Sequence, residues 1–191
     1  MRIFYLLLCL LLIACTDQPN KKVPAPIESE IIQIPDSLLG KDWEGNKILV
    51  GKINLAQLRA FTSSDWYKNE YALYKVNQSV LAEIKPLLKD KKVSLIMGTW
   101  CEDSQREVPG MIKILTEAGY PTASMEIIAV DEDKTTPGKL EKVFDLFNVP
   151  TLIFSAKDTE INRIVEFPIN SLEQDILAIL RGEDYKNAYA E

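Results

Sequence analysis

The run Val93-Ser94-Leu95-Ile96-Met97 constrains the fold more than any other stretch of the chain. An apolar run this short, bracketed by Lys91-Lys92 and Gly98, reads as a buried strand. The next segment is polar, Glu102-Asp103-Ser104-Gln105-Arg106-Glu107, and continues at helical spacing through Met111, Ile112, Ile114 and Leu115. A strand feeding directly into a helix points to an α/β fold. Cys101 falls at the junction. The first turn of a helix has unpaired N–H groups and the positive end of the dipole. A sulfur there is stabilised as thiolate, its reactive form. Glu102 and Asp103 work against this, because nearby negative charge opposes the thiolate.

The same alternation continues downstream. Met125 to Val130 is a second strand, ending in Asp131-Glu132-Asp133. Those acids read as a solvated loop, since calcium takes six or more oxygen ligands. Thr136-Pro137 supplies a cap and a first-position proline, which predicts a helix to about Phe147. Asn148-Val149-Pro150 breaks the chain before a strand over Thr151 to Phe154. A turn at Lys157 to Glu160 leads to a partner strand over Ile161 to Glu166. Ser171 and Gln174 form a capping box for a last helix to Arg181, stopped at Gly182. Crossover helices imply parallel pairing of the first strands. The turn-linked last pair implies an antiparallel hairpin. Pro109 predicts a kink in the cysteine helix.

Upstream, Lys47 to Ile53 is strand-like and Asn54 caps a short helix through Arg59. Ser63-Ser64-Asp65 is another cap, followed by Trp66, Tyr67, Tyr71 and Tyr74. These rings read as packing of an N-terminal extension, because aromatics dominate buried area. Asn77 opens a helix to Leu88, with Pro86 disturbing its end.

Composition excludes several function classes. The chain has 191 residues, a net charge of -6 and no histidine. An acidic balance disfavours nucleic acid, which needs clustered Lys and Arg. Without histidine, Ser–His–Asp and Cys–His proteases and most zinc sites are ruled out in their usual forms. Met97, Met111 and Met125 read as core residues, so no metal site and no cofactor is expected.

Met1-Arg2 precedes an apolar stretch to Ala14 that is too short to cross the ~30 Å bilayer core comfortably. One basic residue, a short apolar run and a small residue describe a secretory signal. The ending Leu12-Ile13-Ala14-Cys15 resembles the lipobox of bacterial lipoproteins. That resemblance implies a signal peptide over residues 1–14 and lipid on Cys15, placing the domain outside the cytoplasm in a bacterial envelope. Residues 15–28, polar and proline-bearing, read as a flexible tether. Cys9 then leaves with the signal and Cys15 is capped. Cys101 remains as a single thiol, unable to form an internal disulfide.

The element order, with Trp100-Cys101 at the strand–helix junction and Val149-Pro150-Thr151 before the hairpin, resembles the thioredoxin fold. It implies a central mixed sheet flanked by helices over residues 91–191, with a strand and helix extension over 29–90. Trp100-Cys101 together with Ser104, Glu107 and Pro109 is similar to the motif of envelope thioredoxin-like oxidoreductases. The resemblance implies Cys101 as nucleophile, Glu107 as a proton-handling neighbour and Trp100 as a wall of the site. It also implies that Pro150 is a cis-proline facing the thiol, with Val149 beside it. Two departures stand out. Ser104 takes the place of the resolving cysteine, and Leu95 that of thioredoxin's buried aspartate.

Two functions are compatible with these residues. In one, Cys101 forms mixed disulfides that an external thiol resolves, with an envelope thiol or disulfide protein, or a low-molecular-weight thiol, as partner. Ser104 either donates a hydrogen bond to the thiolate or faces solvent. In the other, the fold keeps its groove as a non-catalytic binding module for an envelope partner.

Overall fold

The computed structural model describes residues 32–61 and 65–190. The expected signal peptide, the lipidation position Cys15 and the tether lie outside the described residues. The chain forms β1 (Leu39–Lys41), β2 (Lys47–Leu49) and β3 (Gly51–Ile53), then α1 (Leu55–Phe61), α2 (Trp66–Leu73) and α3 (Gln78–Leu87). It continues through β4 (Lys91–Met97), α4 (Glu102–Glu117), β5 (Glu126–Ala129), β6 (Thr151–Ala156), β7 (Thr159–Val165) and α5 (Leu172–Arg181).

The main sheet has the order β3-β5-β4-β6-β7. Strand β4 pairs parallel with β5, Leu95 opposite Ile127, and antiparallel with β6, Leu95 opposite Leu152. The hairpin of β6 and β7 is antiparallel, and β3 closes the other edge antiparallel to β5. This is the expected mixed α/β architecture, a sheet flanked by helices. A parallel neighbour needs a crossover, which α4 supplies between β4 and β5.

Side chains alternate across a strand, and here the alternation separates two cores. Val93, Leu95, Met97, Ile127, Ala129, Leu152 and Phe154 join the main one, to which all five α-helices of the described residues contribute. The methionines Met97, Met111 and Met125 are part of it. On the other face Ile96, Ile128, Val130, Val149 and Ile153 form a small cluster with Cys101. Leu140, Phe144, Leu146 and Trp100 cover that cluster.

The first elements join the same body. Tyr67 is buried and stacks on Tyr71, while Trp66, Tyr71 and Tyr74 pack against the main core. The Asn77 side chain accepts from the Val80 amide at the start of α3, and Ser171 accepts from the Gln174 amide at the start of α5. Both are N-caps that fill an otherwise orphaned donor. Gly182 ends α5 at φ 70°, the left-handed conformation glycine adopts freely.

Two expectations are corrected. Lys47 to Ile53 is not one strand. Gly51, at φ 95°, turns the chain between β2, which pairs with β1, and β3, which joins the main sheet. The helix expected from Thr136 to Phe147 is instead a short 3-10 turn over Leu140–Phe144. Left-handed Lys139 and Asp145 bound it. The Thr136 cap does form, its hydroxyl oxygen accepting from the Leu140 amide. Glu141 then turns back to accept from both the amide and the hydroxyl of Thr136. These local bonds satisfy the polar groups of the turn without a helical ladder.

Candidate functional site

Strand β4 is followed by Gly98, which lets the Trp100 ring lie close against the backbone. A Cβ on Gly98 would meet that ring at 2.6 Å. The indole N–H of Trp100 donates to the Val130 carbonyl at 2.9 Å, fixing the ring over the end of β5. Gln105 clamps the turn from the helix side, its amide donating to the Thr99 carbonyl at 2.8 Å. The Thr99 hydroxyl oxygen in turn accepts from the Leu49 amide at 3.1 Å. Cys101 is thereby held at the N-cap position of α4, in extended backbone conformation, with its carbonyl accepting from the Gln105 amide.

The Val149–Pro150 peptide bond is cis. The Cys101 thiol donates to the Val149 carbonyl at 3.4 Å, so sulfur and prolyl loop are in direct contact. The loop is held in place by the Glu166 amide donating to the Pro150 carbonyl at 2.7 Å. The Thr151 hydroxyl also donates to the Asn148 carbonyl at 2.6 Å. The sulfur is largely enclosed, with Cys101 only 9% exposed.

Of the residues singled out from sequence, Trp100, Cys101, Val149 and Pro150 converge on one place. Ser104 lies on the next turn, fully buried, its oxygen accepting from the Gly98 amide at 3.2 Å. It does not face solvent. The Glu107 carboxylate is turned to Arg106 at 2.8 Å; burial and then Glu173 push the Tyr74 phenol up, with Glu107 adding least. The hydrogen-bond partner of Glu107 is thus Arg106 and not the sulfur.

A polar rim around the loop was not visible in the sequence. The Asn148 amide donates to Glu166 at 3.3 Å, and Lys134 donates to the Asn148 side-chain oxygen at 3.0 Å. Asp103, paired with Arg106 at 2.5 Å, lies near enough to Glu166 to act on it as a like charge. Burial, and then this like charge, hold the Glu166 carboxyl above the usual carboxylate range. Only the position of Asn148, next to Val149-Pro150, gave any sign of this rim. Glu166 reaches it through strand pairing, which a linear reading does not reveal.

Chemically, the site offers one sulfur at a helix start beside a prolyl carbonyl loop. Cys101 is free, and the described residues contain no group of three or more His, Cys, Asp or Glu able to hold a metal.

No protein-family model matches the chain, and no curated protein matches it. Among solved structures it is similar to a protein of unknown function from Pseudomonas aeruginosa, at 14% identity and TM-score 0.51. That match covers 70% of this chain and 93% of the other. Mitochondrial thioredoxin 3 from Saccharomyces cerevisiae matches at 23% identity and TM-score 0.30, over 44% of this chain and 76% of that one. A structure describing thiol resolution in yeast mitochondrial 1-Cys peroxiredoxin matches at 22% identity and TM-score 0.30, over 48% and 79%. Such identities speak to fold alone.

Proposed function

We propose that the protein performs thiol–disulfide exchange through Cys101 alone, with an outside thiol releasing each mixed disulfide. The observation that carries this reading is the contact between the Cys101 sulfur, at the start of α4, and the carbonyl of Val149 in the cis-prolyl loop. A disulfide approaching that loop meets a nucleophile whose attack runs through a mixed disulfide. Among the described residues no second cysteine is present to complete the cycle on the same chain.

The setting we propose is a cell envelope. The leader and Cys15 support a lipid-anchored protein whose partners are envelope thiol or disulfide proteins, or a low-molecular-weight thiol. Among the described residues no helix is long and apolar enough to cross a membrane.

Capture of mixed disulfides in intact envelopes tests the exchange reading. Mass spectrometry of Cys101 should find partner adducts that vanish in Cys101→Ser. Adduct-free Cys101 under oxidising challenge overturns it. Mass analysis of the mature N-terminus tests the lipid.

One observation favours a second reading, a binding module without thiol chemistry. The sulfur packs among Ile96, Ile128, Val130 and Ile153. A buried free cysteine behaves as a small apolar side chain. A Cys101→Ser strain that keeps the wild-type phenotype supports that reading over exchange.

A further inference from the structure

Three aromatic rings from three separate segments meet on the surface beside the prolyl loop. Phe147, Phe167 and Tyr189 are 63%, 41% and 43% exposed. The Tyr189 ring lies 5.2 Å from Phe147 and 6.5 Å from Phe167. Phe147 stands two residues before Val149, whose carbonyl takes the thiol hydrogen. Phe167 comes directly after Glu166, whose amide holds the Pro150 carbonyl. Tyr189 comes from the tail beyond α5. That tail is tied back by Asn162 donating to the Tyr185 carbonyl at 2.8 Å and by the Tyr185 hydroxyl donating to Asp175 at 3.0 Å.

We infer that these rings, with the carboxyls of Asp103 and Glu166, form a docking surface for a polypeptide segment bearing an aromatic and a cationic side chain beside its cystine. The inference rests on the exchange reading and names its substrate class. Clustered exposed rings mark interaction sites more often than scattered apolar residues do. Aromatic rings also give contact area at small ordering cost.

Charge selects the partner. Asp103 lies near enough to Glu166 to act on it as a like charge, and Asp145 stands two residues ahead of Phe147. The nearby cations already have partners, Arg106 on Asp103 itself and Lys134 beside Glu166. Arg106 bridges Asp103 and Glu107, Lys134 binds Asn148, and Arg163 binds Glu160 and the carbonyls of Phe144 and Asp145. Asp103 already has Arg106, whereas Glu166 accepts from the Asn148 amide and has no ion pair among the described residues, so a partner's guanidinium would meet Glu166. A small disulfide carrying carboxylates is repelled there and leaves the rings unused.

In the exchange step the Cys101 thiol first gives its proton to water. The thiolate bonds to one peptide sulfur, the peptide S–S bond breaks, and the other sulfur leaves with the electron pair and takes a proton from water. No net oxidation occurs.

The test uses two synthetic peptides of equal length, one Phe/Arg-flanked and one Ser/Glu-flanked, with the purified mature chain. Serine-for-cysteine forms are titrated against Cys101→Ser by NMR. Disulfide-linked dimers are given to the wild type, each rate divided by that with hydroxyethyl disulfide. The Phe/Arg peptide should bind and react about tenfold better, the size of one well-seated side chain. Phe147→Ser and Tyr189→Ala, on different segments, should each cut that preference to about twofold. Equal behaviour of the two peptides, or a preference untouched in both variants, overturns the docking surface. Selective binding without exchange leaves the docking surface standing and removes the exchange reading. Exchange without selectivity does the reverse.

Discussion

The Ser104 hydroxyl oxygen accepts the Gly98 amide hydrogen from inside the fold, one helical turn past Cys101. It ties the start of α4 to the end of β4. Ser104→Ala should leave that buried N–H without a partner and lower stability by about 1–2 kcal/mol, measured by urea unfolding.

Ser104→Cys carries a chemical prediction. Positions three apart share a helix face, so a thiol there sits on the Cys101 side of α4. It should resolve mixed disulfides on the same chain. Adducts captured on Cys101 should fall at least several-fold, while labelling of the reduced, unfolded protein shows one more thiol than the wild type. Persistent adducts at wild-type level would count against exchange at this site.

Gly110 meets Tyr74 in the middle of α4. A Cβ would fall 2.7 Å from the Tyr74 ring, whose hydroxyl is held by Glu173 at 3.0 Å. The ring has little room to retreat. Gly110→Ala gains about 1 kcal/mol of helix propensity but forces overpacking costing about 1–3 kcal/mol. A net loss of stability is expected, and Gly110→Ala combined with Tyr74→Leu should recover part of it.

Asp175 is fully buried and accepts from the amides of Ile169 and Asn170 and from the Tyr185 hydroxyl. Asp175→Ala should strand these donors and cost about 3 kcal/mol or more by chemical unfolding. Loss of the Tyr185 anchor should also raise hydrogen exchange in the tail before it does so in β4.

Two glutamates give opposite pH signatures. Glu166 is held high by burial and then by Asp103, so the folded chain keeps its proton longer than the unfolded chain. Its contribution is full below the unfolded value and is lost as pH rises through the folded one. Glu166→Gln should remove that decline, so the wild type should melt progressively lower relative to the variant from mildly acidic to neutral pH. For Glu126, burial raises the carboxyl, but hydrogen bonds from Lys52 and Lys92 outweigh it and hold the carboxyl low. Its contribution is present above the unfolded value and lost as pH falls through the folded one. Glu126→Gln should therefore cost more at neutral than at acid pH.

Local signals were legible where local chemistry decides. Asn77 and Ser171 announce their helices, and both caps are present. The crossover through α4 led to the parallel pairing of β4 with β5, and the turn before β7 to the antiparallel hairpin, whereas β6, with no helical crossover before it, pairs antiparallel with β4. The Thr136 signal was read correctly as a cap and wrongly as a helix. A cap satisfies donors whether or not the chain goes on to coil, and Glu141 closes the turn instead. The Lys47 to Ile53 run hides its break because only the backbone angle of Gly51, not its neighbours' hydropathy, separates the two strands. At the site, Trp100, Cys101, Val149 and Pro150 could be anticipated by motif. Asp103, Glu166 and the ring of Tyr189 meet only through folding over long sequence distances.

The crossover without a long helix has a consequence for the thiol. Cys101 belongs to the thin layer roofed by Leu140, Phe144 and Leu146, while each α-helix of the described residues packs into the thicker layer opposite. Lifting that roof would disturb few buried side chains, so the layer around Cys101 should open at lower free energy than the main core. Hydrogen exchange in the segment over Leu140–Phe144 is then expected to run ahead of that in β4.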